Sequence, residues 1–236
     1  MKALVTGAAG FIGSTRSDRL LADGADVVGI DCFTDYYPRA AKERNLSGAL
    51  AHQRFRLIES RIQDVDLDVL LRDRTHVFHL AAQAGVRKSW GRDFQIYTVN
   101  NIDATQVLLE AATRMPALER LVYSSSSSVY GDGAQTRDFT FISDAVNANV
   151  LAATRGGPGR VYNIGGGSRV SVNDVLSMIE RVTGHRPRVN VDPAQKGDMR
   201  HTYADTSRAR ADLGYAPTVG LEAGLAAEYQ WLTGIL

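Results

Sequence analysis

The sequence has 236 residues, and its 27 Lys and Arg against 26 Asp and Glu give a formal net charge of +1. This balance gives no electrostatic reason to expect a nucleic acid or a membrane surface as partner. With 44% hydrophobic and 22% charged residues, the composition is that of a globular protein with a full core, which excludes disorder and collagen-like structure. The single cysteine, Cys32, excludes an intramolecular disulfide and fits a reducing compartment.

Short apolar runs alternate with helical patterns in the first 131 residues. Four runs predict strands, at residues 3–6, 27–30, 77–81 and 121–123. Two further stretches predict helices, at residues 11–21 and 94–115. Strands buried on both faces read as continuous apolar runs, and their alternation with helices indicates a parallel sheet covered on two sides. We therefore expect an α/β fold with a doubly wound parallel sheet of Rossmann type over residues 1–131.

The pattern becomes more irregular after residue 132. Residues 161–164 predict a strand. Ser171 and Asp174 have the spacing of a capping box, which predicts a helix that begins there and runs to Thr183. We expect residues 132–236 to form a smaller C-terminal lobe.

The sequence indicates neither a membrane-spanning helix nor a metal site. The longest apolar runs are far shorter than the roughly 20 residues of a membrane helix. The first predicted strand begins so early that it leaves no room for a signal peptide, so we expect a cytoplasmic protein. His76 and His79 have H-x-x-H spacing, but on a strand their side chains point to opposite faces, and we predict no metal site.

Three glycines follow the first predicted strand at G-x-x-G-x-x-G spacing: Gly7, Gly10 and Gly13. Glycines there permit a tight turn and a close backbone approach, so that a pyrophosphate can lie on the helix N-terminus. Asp31 ends the second strand, 24 residues beyond Gly7. A carboxylate there can accept hydrogen bonds from an adenosine ribose and would repel a 2′-phosphate. The sequence therefore predicts NAD rather than NADP, although an ordinary strand-end aspartate remains the alternative.

Segments spread along the whole chain match the motifs of one enzyme family in the same order. They are residues 6–13, 31, 79–82, 101–105, 124–131, 133–139, 197–198 and 203–205. Together they resemble the extended short-chain dehydrogenase/reductase family, specifically its nucleotide-sugar epimerases and dehydratases. Residues 31–37, 81–87 and 195–198 resemble the UDP-glucuronate 4-epimerase branch, and related uronate and pentose epimerases share some of these segments.

The resemblance implies where an NAD cofactor and a UDP-sugar substrate would bind. The implied cofactor-binding residues are Gly7, Gly10, Phe11, Ile12, Gly13, Asp31, Cys32, Phe33, Thr34, Ile62, Leu80, Ala81, Ala82, Gln83, Asn101 and Ser124. The implied substrate-binding residues are Val86, Arg87, Ser126, Ser127, Arg137, Gln195 and Asp198. For Arg87 and Asp198 the alternative is a solvated surface position.

Ser126, the two serines that follow it and Arg137 have specific chemical roles implied by the resemblance. Ser126 matches the family's catalytic Ser/Thr, which hydrogen-bonds the sugar hydroxyl that is oxidised. Ser127 and Ser128 stand where the 4,6-dehydratases carry an acid pair, and because serine hydroxyls are poor acids at neutral pH, epimerisation is favoured over dehydration. Arg137 matches the residue that holds the nucleotide diphosphate through a planar guanidinium, and its alternative is a structural ion pair with Asp144.

The sequence lacks the proton-transfer pair of the family, Y-x-x-x-K. None of its nine tyrosines is followed by lysine four positions later. Family members carry two separate V-Y-G segments, whereas here residues 129–131 serve as both. The simplest interpretation is a deletion that removes the catalytic helix, part of the substrate lobe and part of the helix pair on which a homodimer would be expected.

A second departure lies in the cofactor site. The branch usually reads Gly-Asp-Ile-Arg-Asp after the third strand, with the first aspartate against adenine, and the aligned residues here are 60–64. Arg61 takes the place of that aspartate. A guanidinium cannot accept the adenine amino hydrogens, although the backbone of Ile62 still can. We expect NAD binding with an altered adenine contact, for which guanidinium stacking is one possibility.

The leading functional hypothesis is an NAD-dependent nucleotide-sugar epimerase acting at C4 of UDP-glucuronate through a transient 4-keto sugar. The alternatives are a non-catalytic NAD or nucleotide-sugar binding protein, another UDP-sugar epimerase, and a 4,6-dehydratase. Because the acid/base pair is missing, we expect the chain as it stands to bind NAD without turnover.

Overall fold

A computed structural model of the chain describes residues 1–85, 93–124, 133–189 and 200–234. The chain divides into two compact units, Met1–Ser126 and Ser127–Leu236. Each unit has its own cluster of buried hydrophobic residues. Within the described ranges, no helix is long and apolar enough to cross a membrane.

The first unit is built on a five-stranded parallel sheet with the order β3-β2-β1-β4-β5. Its strands are β1 (Lys2–Thr6), β2 (Asp26–Asp31), β3 (Phe55–Glu59), β4 (His76–His79) and β5 (Arg120–Tyr123). Its helices are α1 (Phe11–Ala22), α2 (Arg39–Asn45), α3 (Ser47–Leu50), α4 (Leu67–Leu71), α5 (Phe94–Tyr97) and α6 (Ala104–Thr113). The chain moves outward from β1 to β3 and then crosses to β4, so the strand order reverses beside β1. Sheets of this kind bind ligands at such a switch point, at the carboxyl ends of the strands. The predicted Rossmann-type α/β fold is confirmed.

Both faces of the sheet are buried, which explains the continuous apolar runs of its strands. On one face, Leu4 and Val77 pack with Leu108 of α6 in the main hydrophobic cluster. On the other face, Val5 and Phe78 are fully buried, and α1 packs against β1 and β2.

The helix predicted over residues 94–115 forms as three consecutive segments. α5 is followed by a π-helical stretch, Thr98–Asp103, and then by α6, which ends at Thr113. The hydroxyl of Thr105, in the first turn of α6, donates to the carbonyl of Asn101, in the π-helical stretch, at 2.6 Å. Single π turns are frequent at functional sites, and this one carries Asn101.

The second unit combines helices with a two-stranded antiparallel sheet. Its elements are β6 (Thr136–Arg137), α7 (Ile142–Arg155), β7 (Val170–Ser171), α8 (Val172–Thr183), a π-helical turn (Ala209–Leu213) and α9 (Leu221–Thr233). The N-cap of the predicted capping box is confirmed, because Ser171 Oγ accepts from the backbone N–H of Asp174 at 3.1 Å, and α8 ends at Thr183 as predicted. The Asp174 carboxylate accepts from the Ser171 hydroxyl at 2.6 Å.

The strand predicted over residues 161–164 is wrong, since the segment belongs to neither of the two sheets and is no strand in the structure. Its alternate residues Tyr162 and Ile164 pack against a buried cluster that includes Tyr215, whereas Val161 is 73% exposed. A side chain, Arg208, donates to the carbonyl of Val161 at 3.3 Å. The alternation that suggested a strand therefore reflects packing of alternate residues against the buried cluster, and no strand within the described ranges pairs with the segment.

A buried arginine lies on the α1 side of the sheet. Arg16 is 1% exposed, and its guanidinium carbon lies 3.9 Å from the ring centre of Phe78. Burial, followed by the nearby charge of Arg19, lowers the pKa of Arg16 to about 9. Burying a charge carries a desolvation penalty that a hydrophobic side chain of similar size does not incur.

We expect Arg16→Leu to raise the free energy of unfolding by about 1 to 3 kcal/mol. The advantage should shrink as pH rises above about 9, because the folded protein then holds Arg16 neutral while the unfolded chain still binds the proton. Urea titrations of both proteins at pH 7 and pH 10 measure this. A variant less stable than the parent at pH 7 would show that the guanidinium is a net stabiliser there.

Candidate dinucleotide-binding site

The turn between β1 and α1 requires glycine for two different steric reasons. Gly7 has a φ of +67°, a conformation that L side chains rarely adopt. A Cβ at Gly13 would lie 2.0 Å from the carbonyl oxygen of Gly7. Gly10 precedes α1 and provides no side-chain cap, and the apolar side chains of Phe11 and Ile12 are 47% and 40% exposed. The first turn of α1 is therefore a close-packed backbone surface suited to an anionic group.

Asp31, the last residue of β2, lies in a ring of hydrogen-bond donors. Its Oδ2 accepts from the backbone N–H of Ala9 at 3.0 Å, and its Oδ1 accepts from the backbone N–H of Phe33 at 2.8 Å. Lys42 Nζ lies 3.1 Å from Oδ1. Because a carboxylate has about four acceptor positions, these three donors leave room for one further hydrogen bond. The hydrogen bond from Ala9 therefore links the glycine turn directly to the carboxylate of Asp31.

Lys42 is a site residue that the sequence analysis missed. Its side chain and that of Asp31 are each 6% exposed, so the pair is a buried salt bridge. Removing one partner of such a pair leaves an uncompensated charge and is strongly destabilising. Lys42 lies in the charged segment Arg39–Asn45, which reads as a solvated helix face, and nothing in its spacing distinguishes it from its neighbours.

Tyr37 and Phe33 complete the surroundings of Asp31. Tyr37 Oη donates to the carbonyl of Ala9 at 3.3 Å. Burial, and then the charge of Asp31, raise the pKa of Tyr37 above its ordinary value. Phe33 has a φ of +48°, which is uncommon for a residue with a side chain, and its bond to Asp31 holds it there. Strained residues of this kind cluster at functional sites.

A chain of hydrogen bonds fixes the carboxyl end of β4. Thr6 Oγ1 accepts from the backbone N–H groups of Leu80 and Ala81, both at 3.1 Å, so its proton is donated to His79 Nδ1 at 2.7 Å. His79 Nε2 then carries the ring proton and donates to Thr105 Oγ1 at 2.9 Å. Burial lowers the pKa of His79 to about 4. The imidazole is therefore a neutral structural link between β1, β4 and α6.

The segment after β4 is held against the glycine turn. Asn101 Oδ1 accepts from the backbone N–H of Gln83 at 2.6 Å, and Asn101 Nδ2 donates to the carbonyl of Gln83 at 3.2 Å. A Cβ at Gly7 would lie 2.9 Å from Ala81 Cα. The backbone N–H of Ser124 donates to the carbonyl of His79 at 3.2 Å. These contacts bring the predicted residues Ala81, Gln83, Asn101 and Ser124 to one edge of the sheet.

The ends of β2 and β3 meet at the same edge. The backbone N–H of Ser60 donates to the carbonyl of Asp31 at 3.0 Å. Cys32 is exposed, and Ile62 is 6% exposed. Arg61 makes two hydrogen bonds to Asp64, at 2.7 Å and 2.9 Å. Thr34 is half-buried just beyond Phe33.

Arg137 lies in the second unit, on β6, and is 4% exposed. Its Nη1 donates to the carbonyls of Thr136 at 2.8 Å and Arg200 at 3.3 Å. Asp144, its alternative partner in the sequence analysis, accepts hydrogen bonds from Thr218 and Val219. Both residues are buried, and each has its own set of hydrogen-bond partners.

Comparison with known proteins decides the family. Residues 3–136, more than half of the chain, match the family model described as the NAD dependent epimerase/dehydratase family. The chain belongs to this family. Residues 129–227 also match a second model of the epimerase and dehydratase group, GDP-mannose 4,6 dehydratase.

Relatives and solved structures agree with this assignment. The chain is 33% identical to the uncharacterized UDP-glucose epimerase YtcB of Bacillus subtilis (strain 168), over 100% of this chain and 99% of that protein. It is 29% identical to UDP-glucuronate 4-epimerase 6 of Arabidopsis thaliana, over 99% of this chain and 72% of that protein. A UDP-glucuronic acid 4-epimerase from Bacillus cereus, solved with UDP-glucuronic acid and NAD, is 33% identical with a TM-score of 0.92, and the match covers 100% of both chains.

This epimerase/dehydratase chain is shorter than its relatives. The alignment with the Bacillus subtilis protein spans 315 positions, 79 more than the 236 residues of this chain. At least that many positions of the alignment therefore have no residue here. The two family matches overlap at residues 129–136, where the single V-Y-G segment lies.

Six predicted site residues lie outside the described residues. They are Val86, Arg87, Ser126, Ser127, Gln195 and Asp198. Their roles, including that of Ser126 as the catalytic residue, stay predictions. In the described part of the chain, no group of three or more His, Cys, Asp or Glu side chains is placed to hold a metal ion.

Proposed function

We propose that this member of the NAD-dependent epimerase/dehydratase family binds NAD on its first unit and belongs with the epimerases that act on UDP-sugars. The observation that carries the proposal is the hydrogen bond that the backbone N–H of Ala9, in the glycine turn, donates to the carboxylate of Asp31. It places a ribose acceptor next to a backbone surface suited to a pyrophosphate. NAD, when bound, supplies a reversible hydride acceptor for the sugar.

The described residues fit the cofactor along the edge of the sheet. The first turn of α1 would hold the pyrophosphate, and Asp31 would accept from the adenosine ribose. Leu80, Ala81, Ala82, Gln83 and Ser124 would border the nicotinamide half. Asn101 is a positioning residue there, because its side chain is bonded to the backbone of Gln83.

UDP-glucuronate is the proposed substrate. Support comes from the segments 81–87 and 195–198 of the sequence, and relatives named for UDP-glucose and for UDP-glucuronate both match the chain. Arg137 would hold the diphosphate, and a uronate would be distinguished by residues outside the described ranges. Competition between UDP-glucuronate and UDP-galactose for the chain, followed by ligand-observed NMR, tests this. Stronger binding of UDP-galactose would contradict the assignment.

We further propose that the chain as it stands binds its ligands without turnover. The sequence contains no Y-x-x-x-K pair, and the relatives carry additional positions that this chain lacks. A deletion at residues 129–131 accounts for both facts. A cytoplasmic location and a homodimer stay predictions.

We expect the chain to bind NAD at least about tenfold more tightly than NADP, a difference of about 1.4 kcal/mol. A 2′-phosphate beside Asp31 meets a negative charge, which Lys42 offsets only in part. Isothermal titration calorimetry with both dinucleotides measures the ratio. Asp31→Asn should reduce the ratio of NAD affinity to NADP affinity. Asp26 is an exposed carboxylate at the opposite end of β2, and Asp26→Asn should leave this ratio unchanged. Equal or tighter NADP binding by the parent chain would refute the role of Asp31.

A further inference from the structure

The base end of the proposed NAD site can be located from the sheet order. The pyrophosphate surface follows β1 and the ribose acceptor, Asp31, follows β2. β3 is the neighbour of β2 on the side away from β1, and Asp31 pairs in register with Glu59, the last residue of β3. A purine attached to that ribose therefore lies towards the carboxyl end of β3, beside Cys32 and Arg61.

Arg61 is held in one orientation at this position. Its Nε and Nη2 both donate to Asp64, at 2.7 Å and 2.9 Å. Hydrogen bonding to Asp64, and then the charge of Asp64, raise the pKa of Arg61. Because a guanidinium has five N–H donors, three remain for a ligand. The side chain is 53% exposed, so these donors are accessible.

The carboxylates near this edge are already engaged by arginines. Asp64 accepts from Arg61, and Glu59 accepts two hydrogen bonds from Arg39, each at 2.7 Å. The edge therefore presents the oriented guanidinium of Arg61 towards a purine, and Glu59 and Asp64, the carboxylates on either side of it in the sequence, each already accept two hydrogen bonds from an arginine.

The position that distinguishes purines is the substituent on C6. Adenine carries an amino group there, which needs an acceptor, whereas hypoxanthine and guanine carry a carbonyl oxygen, which needs a donor. An arginine pairs with the O6 and N7 acceptors of a 6-oxopurine and has no such pairing with adenine.

We propose that Arg61 makes this cofactor site accept dinucleotides of 6-oxopurines at least as well as NAD. The proposal rests on the NAD site proposed above. Arg61 donates from the guanidinium that Asp64 orients to the C6 oxygen of the base. The ligand class is therefore nicotinamide dinucleotides in which hypoxanthine or guanine replaces adenine.

The test compares NAD with nicotinamide hypoxanthine dinucleotide, which differs only at the base, by calorimetric titration of the full chain. The parent chain should bind the hypoxanthine compound with equal or higher affinity. Arg61→Asp replaces the donor with an acceptor and should shift the preference towards NAD by about tenfold, the size of one hydrogen bond to a charged group. Arg72→Asp makes the same charge change at the exposed C-terminus of α4, before β4, and should leave the ratio of affinities unchanged.

Several outcomes would overturn the proposal. If the parent chain binds NAD tenfold or more tightly than the hypoxanthine compound, the guanidinium does not hydrogen-bond the C6 substituent of the base. The same conclusion follows if Arg61→Asp leaves the ratio of the two affinities unchanged. Equal weakening of both dinucleotides in the variant indicates contact with the face of the base instead. If Arg61→Asp loses affinity for NADP alone, Arg61 contacts the 2′-phosphate of that dinucleotide instead of the base. If the parent chain, folded by circular dichroism, binds none of the dinucleotides, the proposed NAD site itself is wrong.

Discussion

UDP-glucuronate incubated with the purified 236-residue chain and NAD should remain UDP-glucuronate. Losing a positioned acid/base group typically lowers a rate by about 10²- to 10⁴-fold, and here the tyrosine and the lysine are both absent from the sequence. Tyr37, beside the proposed cofactor site, is no substitute, because burial and the charge of Asp31 raise its pKa and disfavour the phenolate. The serine hydroxyl of residue 126 is almost wholly protonated at neutral pH without a neighbouring base.

The measurement is NMR of the reaction mixture, with the mass of the chain confirmed. A version of the chain in which the family's missing middle segment, with its Y-x-x-x-K pair, is inserted at residues 129–131 should give turnover to UDP-galacturonate. The matched control carries the same insertion with phenylalanine in place of the tyrosine of its Y-x-x-x-K pair, and should be inactive. Sustained formation of UDP-galacturonate by the uninserted chain would refute the argument.

Gly13→Ala should abolish detectable NAD binding and lower the free energy of unfolding by about 1 to 3 kcal/mol. The new Cβ would lie 2.0 Å from the carbonyl oxygen of Gly7 and 3.0 Å from Ala8 Cα. Both obstacles are backbone, so the turn itself must open. Opening it moves the N-terminus of α1 away from Asp31 and breaks up the surface proposed for the pyrophosphate.

Calorimetric titration with NAD and thermal unfolding measure the two effects. Gly48→Ala is the matched control, because its Cβ would meet only the carboxylate of Asp18, at 3.3 Å, and alanine favours the helix α3 in which it lies. That variant should bind NAD like the parent chain. Normal NAD affinity in Gly13→Ala would show that the turn does not carry the cofactor.

Local patterns in the sequence were sufficient for the elements that position the site. The apolar runs predicted the central strands because burial on both faces favours apolar side chains at most of their positions. The glycine spacing and Asp31 were predictable because each depends on its place at the end of a strand. Ser171 and Asp174 were predictable for a similar reason, since a capping box is made by residues three apart.

Contacts between distant residues were decided only by the tertiary structure. The burial of Lys42 against Asp31 depends on how α2 packs over the end of β2, and its own segment reads as a charged surface helix. The hydrogen bonds between Asn101 and Gln83, which are 18 positions apart, depend on loop geometry that no periodicity encodes. Residues 161–164 show the converse case, because the sequence predicted a strand there, and only the fold shows that no strand in the described part of the chain pairs with them. A sequence pattern records which side of a segment is buried, whereas the partner that buries it is set by the packing of the whole unit.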